Sequence, residues 1–466
     1  MPRRPATPFE VLITHLDSGN LGIGHVDGRR VAVRCAPPGA RLRVWPIKKR
    51  RGVLLARRDA MVEPPPDAAT PRCGVFGVCG GCSLQELGME AQRIARLDLV
   101  VRGVGSLEGV TLHPFPCAHA GSPWGYRNKV ELAYGNHRFL VPDEHRAGLP
   151  NEGRFLGFHA PDRFNRIVEP GRCEIAGPAT NLAMTAARAH LQGSRFECWD
   201  VRAFTGFWRH LLLREAQDGD CVGVVFTAEP EPGREAEARA EVEALASALT
   251  SVKSLVWSVN ARTCDAASGT PREVFGAEPS LEERIGHLRF RLSPTSFFQA
   301  NTVGARALYD AVAASAGSSR LLLDLYCGTG TIGLYLASAF EQVIGIDENP
   351  SSTHDAEANA RLNGIEGIRF LTGRAENIVE GLALEDPSGV SVVVDPPRVG
   401  LHPRVARWLA ALPAERLVYV ACHPPSLGRD REVLGEGGWR LRELRVVDLF
   451  PHTGHVETVG LFLRED

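Results

Sequence analysis

The sequence predicts an α/β protein in three parts: a C-terminal doubly wound, Rossmann-like sheet, a mixed α+β middle with a cysteine-rich loop, and a small N-terminal OB-like β-barrel. Three observations predict it. From about residue 291, apolar strand runs alternate with helical segments. Residues 8–60 break into short strands joined by glycine turns. A chain of 466 residues exceeds what one core usually holds. The expected domains are 1–66, 67–290 and 291–466.

The barrel reading starts from "FEVLITHLD", the turn "SGNLGIG", and "HVDGRRVAVRC", where Asp27-Gly28 between alternating segments signals a hairpin. "PPGARLRVWPIKKRRGVLLARR" supplies two more strands, and "MVEPPPDAATPRC" reads as a proline-rich linker. Residues 1–60 carry 13 Lys and Arg against 4 Asp and Glu, a net of +9 on a chain whose total is −2. A basic appendage on an acidic body suits a polyanion, best RNA or DNA. In the middle, "NKVELAYG" and "CVGVVFTAE" read as strands and "REAEARAEVEALASAL" as a helix. In the last part the strands are "RLLLDLY", "EQVIGID", "GIRFLTG", "VSVVVDPP" and "RLVYVAC", with helices "TIGLYLASAF", "SSTHDAEANARLN" and "PRVARWLAAL" between them.

Hydrophobic residues make up 44% and charged residues 23%, the balance of a globular protein. No apolar run approaches a membrane span, and "MPRRPATPFEV" lacks the apolar core of a secretory signal. A soluble, cytoplasmic monomer is the expectation. The eleven cysteines, odd in number in a long chain, favour metal binding or catalysis over a disulfide framework.

"LLLDLYCGTGTIGLYLA" is a buried strand, a tight turn and a helix start. Gly328 and Gly330 let backbone approach a ligand. The next strand ends in Asp347, placed to accept ribose hydroxyls. Asp324, the "GTG" turn and Asp347 together resemble S-adenosylmethionine-dependent methyltransferases. In "VVVDPPRVGL", Asp395 ends a strand before two prolines that stiffen the loop. An acid followed by Pro-Pro at this strand is common in methyltransferases acting on nucleobases.

At the next strand tip stands Cys422, followed by His423, Pro424 and Pro425. Methylation of an amine needs no cysteine. Carbon 5 of a pyrimidine is a poor nucleophile until a thiolate adds at carbon 6. A free thiol ionises near pH 8.5, and a strand tip before a helix start is expected to lower that value. The cycle also needs a base for the carbon 5 proton. Glu457, in "FPHTGHVETVGLFLR", sits among strand residues and is the candidate; His452 and His455 are rivals.

Together these residues resemble the RNA uracil-5-methyltransferases, the 5-methyluridine-forming family, over nearly the whole chain. "PTSFFQAN", "DLYCGTGTIGL", "DPPRVGL", "ACHPP" and "HVETV" follow in family order. The resemblance implies that Gln299, Tyr326, Thr331, Asp347 and Asp395 line the methyl donor and reaction site, with Cys422 as nucleophile and Glu457 as base. It loosely implies that Arg374 sits near the adenine. The barrel resembles the TRAM RNA-binding domain, which leans the substrate towards ribosomal rather than transfer RNA. Family members often have Ser-Cys-Asn-Pro where this chain has Ala421-Cys422-His423-Pro424; the cysteine and proline are kept.

"CGVFGVCGGC" spaces Cys73, Cys79 and Cys82 as C-x5-C-x2-C in a glycine-rich loop. From cysteines alone, zinc is the first expectation. The resemblance implies a [4Fe–4S] cluster with Cys173 as the fourth ligand, structural or RNA-positioning in role. Cys35, Cys117, Cys198, Cys221, Cys264 and Cys327 read as buried thiols. Two other functions compete: an RNA-binding or chaperone-like module with a vestigial site, and an RNA cytosine-5-methyltransferase. The joint presence of Gln299, Asp395, Cys422 and Glu457 disfavours the first. The absence of the usual Pro-Cys signature disfavours the second.

Overall fold

The computed structural model describes residues 7–115, 121–382, 384 and 389–465, so Cys117 lies outside the described residues. Strands β1 (Phe9–Leu16), β2 (Leu21–Val26), β3 (Arg29–Arg34), β4 (Arg41–Arg50) and β5 (Val53–Glu63) form a closed barrel in the order β1-β2-β3-β5-β4. Pairing of β1 with β4 closes it, and β3 runs parallel to β5. The β2–β3 hairpin turns at Asp27 and Gly28 with φ of 51° and 70°. Both are left-handed, as a two-residue hairpin requires. Val11, Ile13, Val33, Leu42 and Val44 fill the interior. The expected linker begins later than its sequence suggests. Met61 and Glu63 still pair with Leu42 and Arg41, so the β4–β5 ribbon holds the chain until the first proline.

Helix α1 (Met89–Val104) and strand β6 (Thr111–Pro114) fall within the expected 67–290 domain, yet they belong physically to the C-terminal sheet. Leu99, Val100 and Val104 pack in its core, and β6 extends its edge. The middle itself holds β7 (Lys129–His137), α2 (Pro142–Arg146), β8 (Glu152–Ala160), β9 (Arg163–Val168), α3 (Pro178–Gly193), β10 (Trp208–Glu215), β11 (Cys221–Thr227), α4 (Glu235–Ala248), β12 (Ser254–Val259) and β13 (Thr270–Gly276). Its seven strands lie in the order β13-β12-β11-β10-β7-β8-β9. Helices α3 and α4 pack on one face, against Leu132, Trp208, Leu211 and Val225. The hairpin β14 (Leu281–Ile285) and β15 (Leu288–Leu292) packs on the C-terminal core, so a boundary at 290 cuts through β15.

The last part runs α5 (Thr302–Ala316), β16 (Ser319–Leu325), α6 (Thr331–Leu336), β17 (Phe340–Asp347), α7 (Pro350–Leu362), β18 (Ile368–Thr372), α8 (Ala375–Ile378), β19 (Val390–Val394), α9 (Pro403–Ala411), β20 (Arg416–Ala421), α10 (Pro424–Glu436), β21 (Trp439–Val447) and β22 (Glu457–Arg464). The sheet order is β18-β17-β16-β19-β20-β22-β21-β6. Strands β16 to β20 are parallel, and β22 runs against its neighbours. Both faces are covered: Leu321, Leu323 and Leu325 join one core and Leu322 the other. The helix expected over 331–340 stops at Leu336, because Phe340 is needed to pair with Ser319 at the start of β17. Strand order reverses between β16 and β19, which opens a crevice at their carboxyl ends.

Candidate active site

That carboxyl edge collects the predicted residues. Tyr326, Asp395 and Cys422 each follow the last residue of a parallel strand, and Asp347 ends one. Glu457 reaches the same edge from the opposite direction, as the first residue of an antiparallel strand. Ala421 pairs with Thr458, so the register sets Cys422 across from Glu457. The Thr458 hydroxyl donates to the Ala421 carbonyl at 3.0 Å and locks that register.

The glycine turn is shaped as a close approach demands. Tyr326, Gly328 and Gly330 all have positive φ. A Cβ at Gly330 would lie 2.7 Å from the Phe370 ring, so only glycine fits. The Asp347 carboxylate accepts from the N–H of Gly328 at 3.0 Å and of Asn349 at 2.9 Å, which fixes it beside the turn. Asp324 is a buried brace: it accepts from the Gly333 N–H at 2.8 Å, and burial pushes its carboxyl up to about 8. The Thr331 hydroxyl is buried and accepts from Tyr309 at 2.8 Å. Gln299 is half-buried, with its carbonyl held by Asn128 at 2.8 Å. Beside it Phe297 is 62% exposed and passes over Gly328. Arg374 is exposed and paired at 3.5 Å with Glu348, the residue after Asp347, and the N–H of its neighbour Gly373 donates to the Asp347 carbonyl at 2.9 Å.

Around Cys422 the setting is acidic. Burial, then Glu457 and Asp395, push its thiol up to about 12, while Arg398 pulls the other way. This corrects the expectation that the helix start lowers it. Burial disfavours the thiolate first, and two carboxyl groups brought from neighbouring strands add to the rise. Burial raises Glu457 well above the ordinary carboxylate range, reinforced by Asp395 and opposed by Arg398. Burial alone brings Asp395 to about 7. His423 reaches the Ser426 hydroxyl at 2.7 Å, and that hydroxyl donates to the Arg398 carbonyl at 2.6 Å. The nucleophile loop and the Asp-Pro-Pro-Arg loop are thereby tied together.

A small cavity at Cys422 is lined by Arg398, His423 and His455, and also by Ser18 and Asn20 of the barrel. Asn20 lies 3.2 Å from His455, and Arg398 donates to the Ser18 carbonyl at 3.3 Å. The basic barrel thus borders the crevice at the carboxyl edge of the sheet. The family model described as tRNA (Uracil-5-)-methyltransferase matches residues 239–466. An RNA methyltransferase of Halalkalibacterium halodurans is 30% identical over 97% of this chain and 96% of its own. The chain belongs to the RNA (uracil-5-)-methyltransferase family.

Another RNA methyltransferase, from Chlorobaculum tepidum, is 34% identical over 92% of this chain and 90% of its own. The crystal structure of Pyrococcus abyssi tRNA (uracil-54, C5)-methyltransferase in complex with S-adenosyl-L-homocysteine superposes with a TM-score of 0.74 at 25% identity, covering 98% of this chain and all of that one. S-adenosylmethionine is the methyl donor of such enzymes, and this RNA methyltransferase depends on it. Among the described residues no helix is long and apolar enough to cross a membrane.

The methyltransferase also brings its cysteines together. Cys73, Cys79, Cys82 and Cys173 are half-buried and unpaired. Burial pushes the Cys82 thiol up to about 12, with Cys173, Cys79 and Cys73 each adding to the rise. Cys79 rises to about 11 for the same first reason, with Cys173, Cys73 and Cys35 adding. Cysteines that act on one another electrostatically have the donor chemistry of a thiolate-bound metal centre, since a shared cation lets neighbouring thiols ionise together. Cys35, read as a buried thiol, is half-buried beside them, and its sulfur reaches the Cys82 carbonyl at 3.7 Å. Sequence reading missed the barrel's part in the cavity, and Arg398 as the cation facing Cys422. For Arg398 its place after Asp-Pro-Pro was a usable signal; for Asn20 there was none.

Proposed function

We propose that the enzyme methylates carbon 5 of a specific uridine in RNA through a covalent bond from Cys422 to carbon 6. The observation that carries this reading is the β20–β22 register, which ends at Ala421 and Thr458 and so sets Cys422 opposite Glu457, with Asp395 acting on the same thiol. The Cys422 thiolate forms the sulfur–carbon bond, and the C5–C6 electron pair moves towards the carbonyl at carbon 4. As that pair returns, carbon 5 takes the methyl group of S-adenosylmethionine, whose sulfur–methyl bond breaks with the electron pair left on sulfur, and S-adenosylhomocysteine departs. Glu457 then takes the carbon 5 proton, the C5–C6 double bond re-forms, and the thiolate leaves. Arg398 favours the thiolate against its acidic neighbours. Gln299, Tyr326, Thr331, Asp347 and Asp395 line the donor and reaction site in this reading.

Cys73, Cys79, Cys82 and Cys173 hold a [4Fe–4S] cluster, which needs four thiolates and takes no electron in the methyl transfer. The barrel, TRAM-like in role, supplies RNA affinity through the exposed hairpin residues Lys48, Lys49, Arg50 and Arg51. Its presence favours ribosomal RNA, whereas the matched family model and the archaeal structure carry tRNA in their names. Incubating RNA from a deletion strain with labelled donor, then mapping modified nucleosides by mass, tests both points. The expected product is 5-methyluridine at one position. Label in 5-methylcytidine, or no label, would overturn the reading.

A further inference from the structure

We propose that the loop carrying Cys73, Cys79 and Cys82 sets the position of the loop that leads into Glu457, and so controls removal of the carbon 5 proton. Ser83, Gln92 and Tyr126 are the positioning residues. The proposal rests on the uridine-methylating reading above.

Residues 451–454 lead into β22 and its first residue, Glu457. Their backbone groups are held from the segment that follows the third cysteine. The N–H groups of Ser83 and Leu84 both donate to the His452 carbonyl at 3.0 Å. The Gly454 N–H donates to the Ser83 hydroxyl at 3.0 Å. The His452 N–H donates to the Gln92 side-chain carbonyl at 2.8 Å, and the Gln92 amide meets the His452 ring at 3.2 Å. The Tyr126 hydroxyl donates to the Pro451 carbonyl at 2.9 Å. His452 itself is held at φ of 65°, a left-handed conformation that a non-glycine residue keeps only when its surroundings impose it. Trp124 stacks on its ring at 3.7 Å between centroids, and Arg72, next to Cys73, lies over Trp124 at 4.7 Å.

A single peptide bond separates Cys82 from Ser83. Fixing the Cys82 sulfur in a metal centre therefore fixes Ser83, and Ser83 grips the 451–454 loop at two points. Glycines at 80 and 81 leave the cysteine loop little stiffness of its own. Emptying the site frees the brace, and the base shifts relative to a carbon it must reach within hydrogen-bond distance. The backbone of Cys422 is anchored separately, between the end of β20 and the start of α10, while Gly454, His455 and Val456 line its cavity.

Ser83→Ala and Tyr126→Phe in the holoenzyme test this, with Ser83→Thr as the conservative control. On ordinary RNA, turnover should fall at least tenfold with KM unchanged, and the enzyme–RNA adduct should accumulate on denaturing gels. On RNA carrying 5-fluorouridine, which never gives up its carbon 5 substituent, the variants should trap at the wild-type rate. Ser83→Thr should restore turnover. Equal losses in trapping and turnover, or no loss in either, would overturn the proposal. A second readout is independent of the chemistry. Hydrogen exchange over residues 450–456 should quicken at least tenfold in Ser83→Ala, and equally in wild-type enzyme stripped with ferricyanide and EDTA. Unchanged exchange in both would overturn the brace. A wild type that fails to trap on 5-fluorouridine RNA while its exchange responds would instead overturn the uridine reading.

Discussion

Two groups of half-buried cysteines stand at opposite ends of the loop 451–456. Cys422 is alone among carboxyl groups, with Arg398 as its opposing cation. Cys73, Cys79, Cys82 and Cys173 have chiefly one another. Burial raises Cys422 as it raises Cys79, Cys82 and Cys173, but the remedy differs. A thiol among carboxyls can pass its proton to a neighbour and act as a transient nucleophile. Thiols among thiols can ionise together only against a shared cation. Under the proposed function, the same residue type serves a covalent step in one place and a fixed centre in the other.

The sharpest way to break this contrast is Cys422→Ala, expected to lower turnover by about 10³-fold or more. Cysteine-to-serine changes at 73, 79, 82 or 173 should instead remove a brown chromophore and destabilise the middle of the protein. Anaerobically purified protein that is colourless, folded and rich in zinc would replace the cluster by a zinc centre.

Glu457→Gln should still form the adduct but release it roughly 10²- to 10⁴-fold more slowly. Because burial raises Glu457, turnover in the wild type should fall on the acid side with a midpoint above the ordinary carboxylate value of about 4.3. A midpoint at or below that value would remove Glu457 as base, with His455 and His452 next. Burial, then Arg398 and Arg127, hold His455 down to about 4, so it is neutral at pH 7.

A smaller effect concerns the barrel. Changing Lys48, Lys49, Arg50 and Arg51 to Gln should weaken RNA binding and flatten its salt dependence, by roughly 0.7 to 0.9 in log–log slope for each phosphate left without its cation. An unchanged slope would place the RNA-binding surface elsewhere. The smallest concerns Asp324. Its carboxyl, raised to about 8, adds stability that is fully present below about pH 4 and is lost as pH rises through 8. Asp324→Asn should flatten that decline in urea midpoints, and a wild type whose stability rises over this range would contradict it.

Much of the site was legible in the sequence because its residues sit at strand tips. The glycine turn, Asp347, Asp395 and Cys422 each close an apolar run, and parallel strands deliver such tips to one edge. The Asp27-Gly28 hairpin was legible for a similarly local reason. What escaped depends on distant pieces meeting. Asn20 and His455 are 435 positions apart and nothing in either neighbourhood announces their meeting. Strand β6 has four residues, too few for a periodic pattern, and its place is set by pairing with β21. The direction of the Cys422 shift escapes for the same reason: local grammar shows a helix start, while the burial and then the carboxyls that raise the thiol come from the packing of other strands.

The central claim is that Cys422 bonds to carbon 6 of a uridine. Its most direct test is mass spectrometry of wild-type enzyme incubated with S-adenosylmethionine and substrate RNA carrying 5-fluorouridine at the target. A stable one-to-one adduct mapping to the peptide that contains Cys422 is expected, and none with Cys422→Ala. Methylation of ordinary RNA by Cys422→Ala at a near wild-type rate, without any adduct in the wild type, would contradict it.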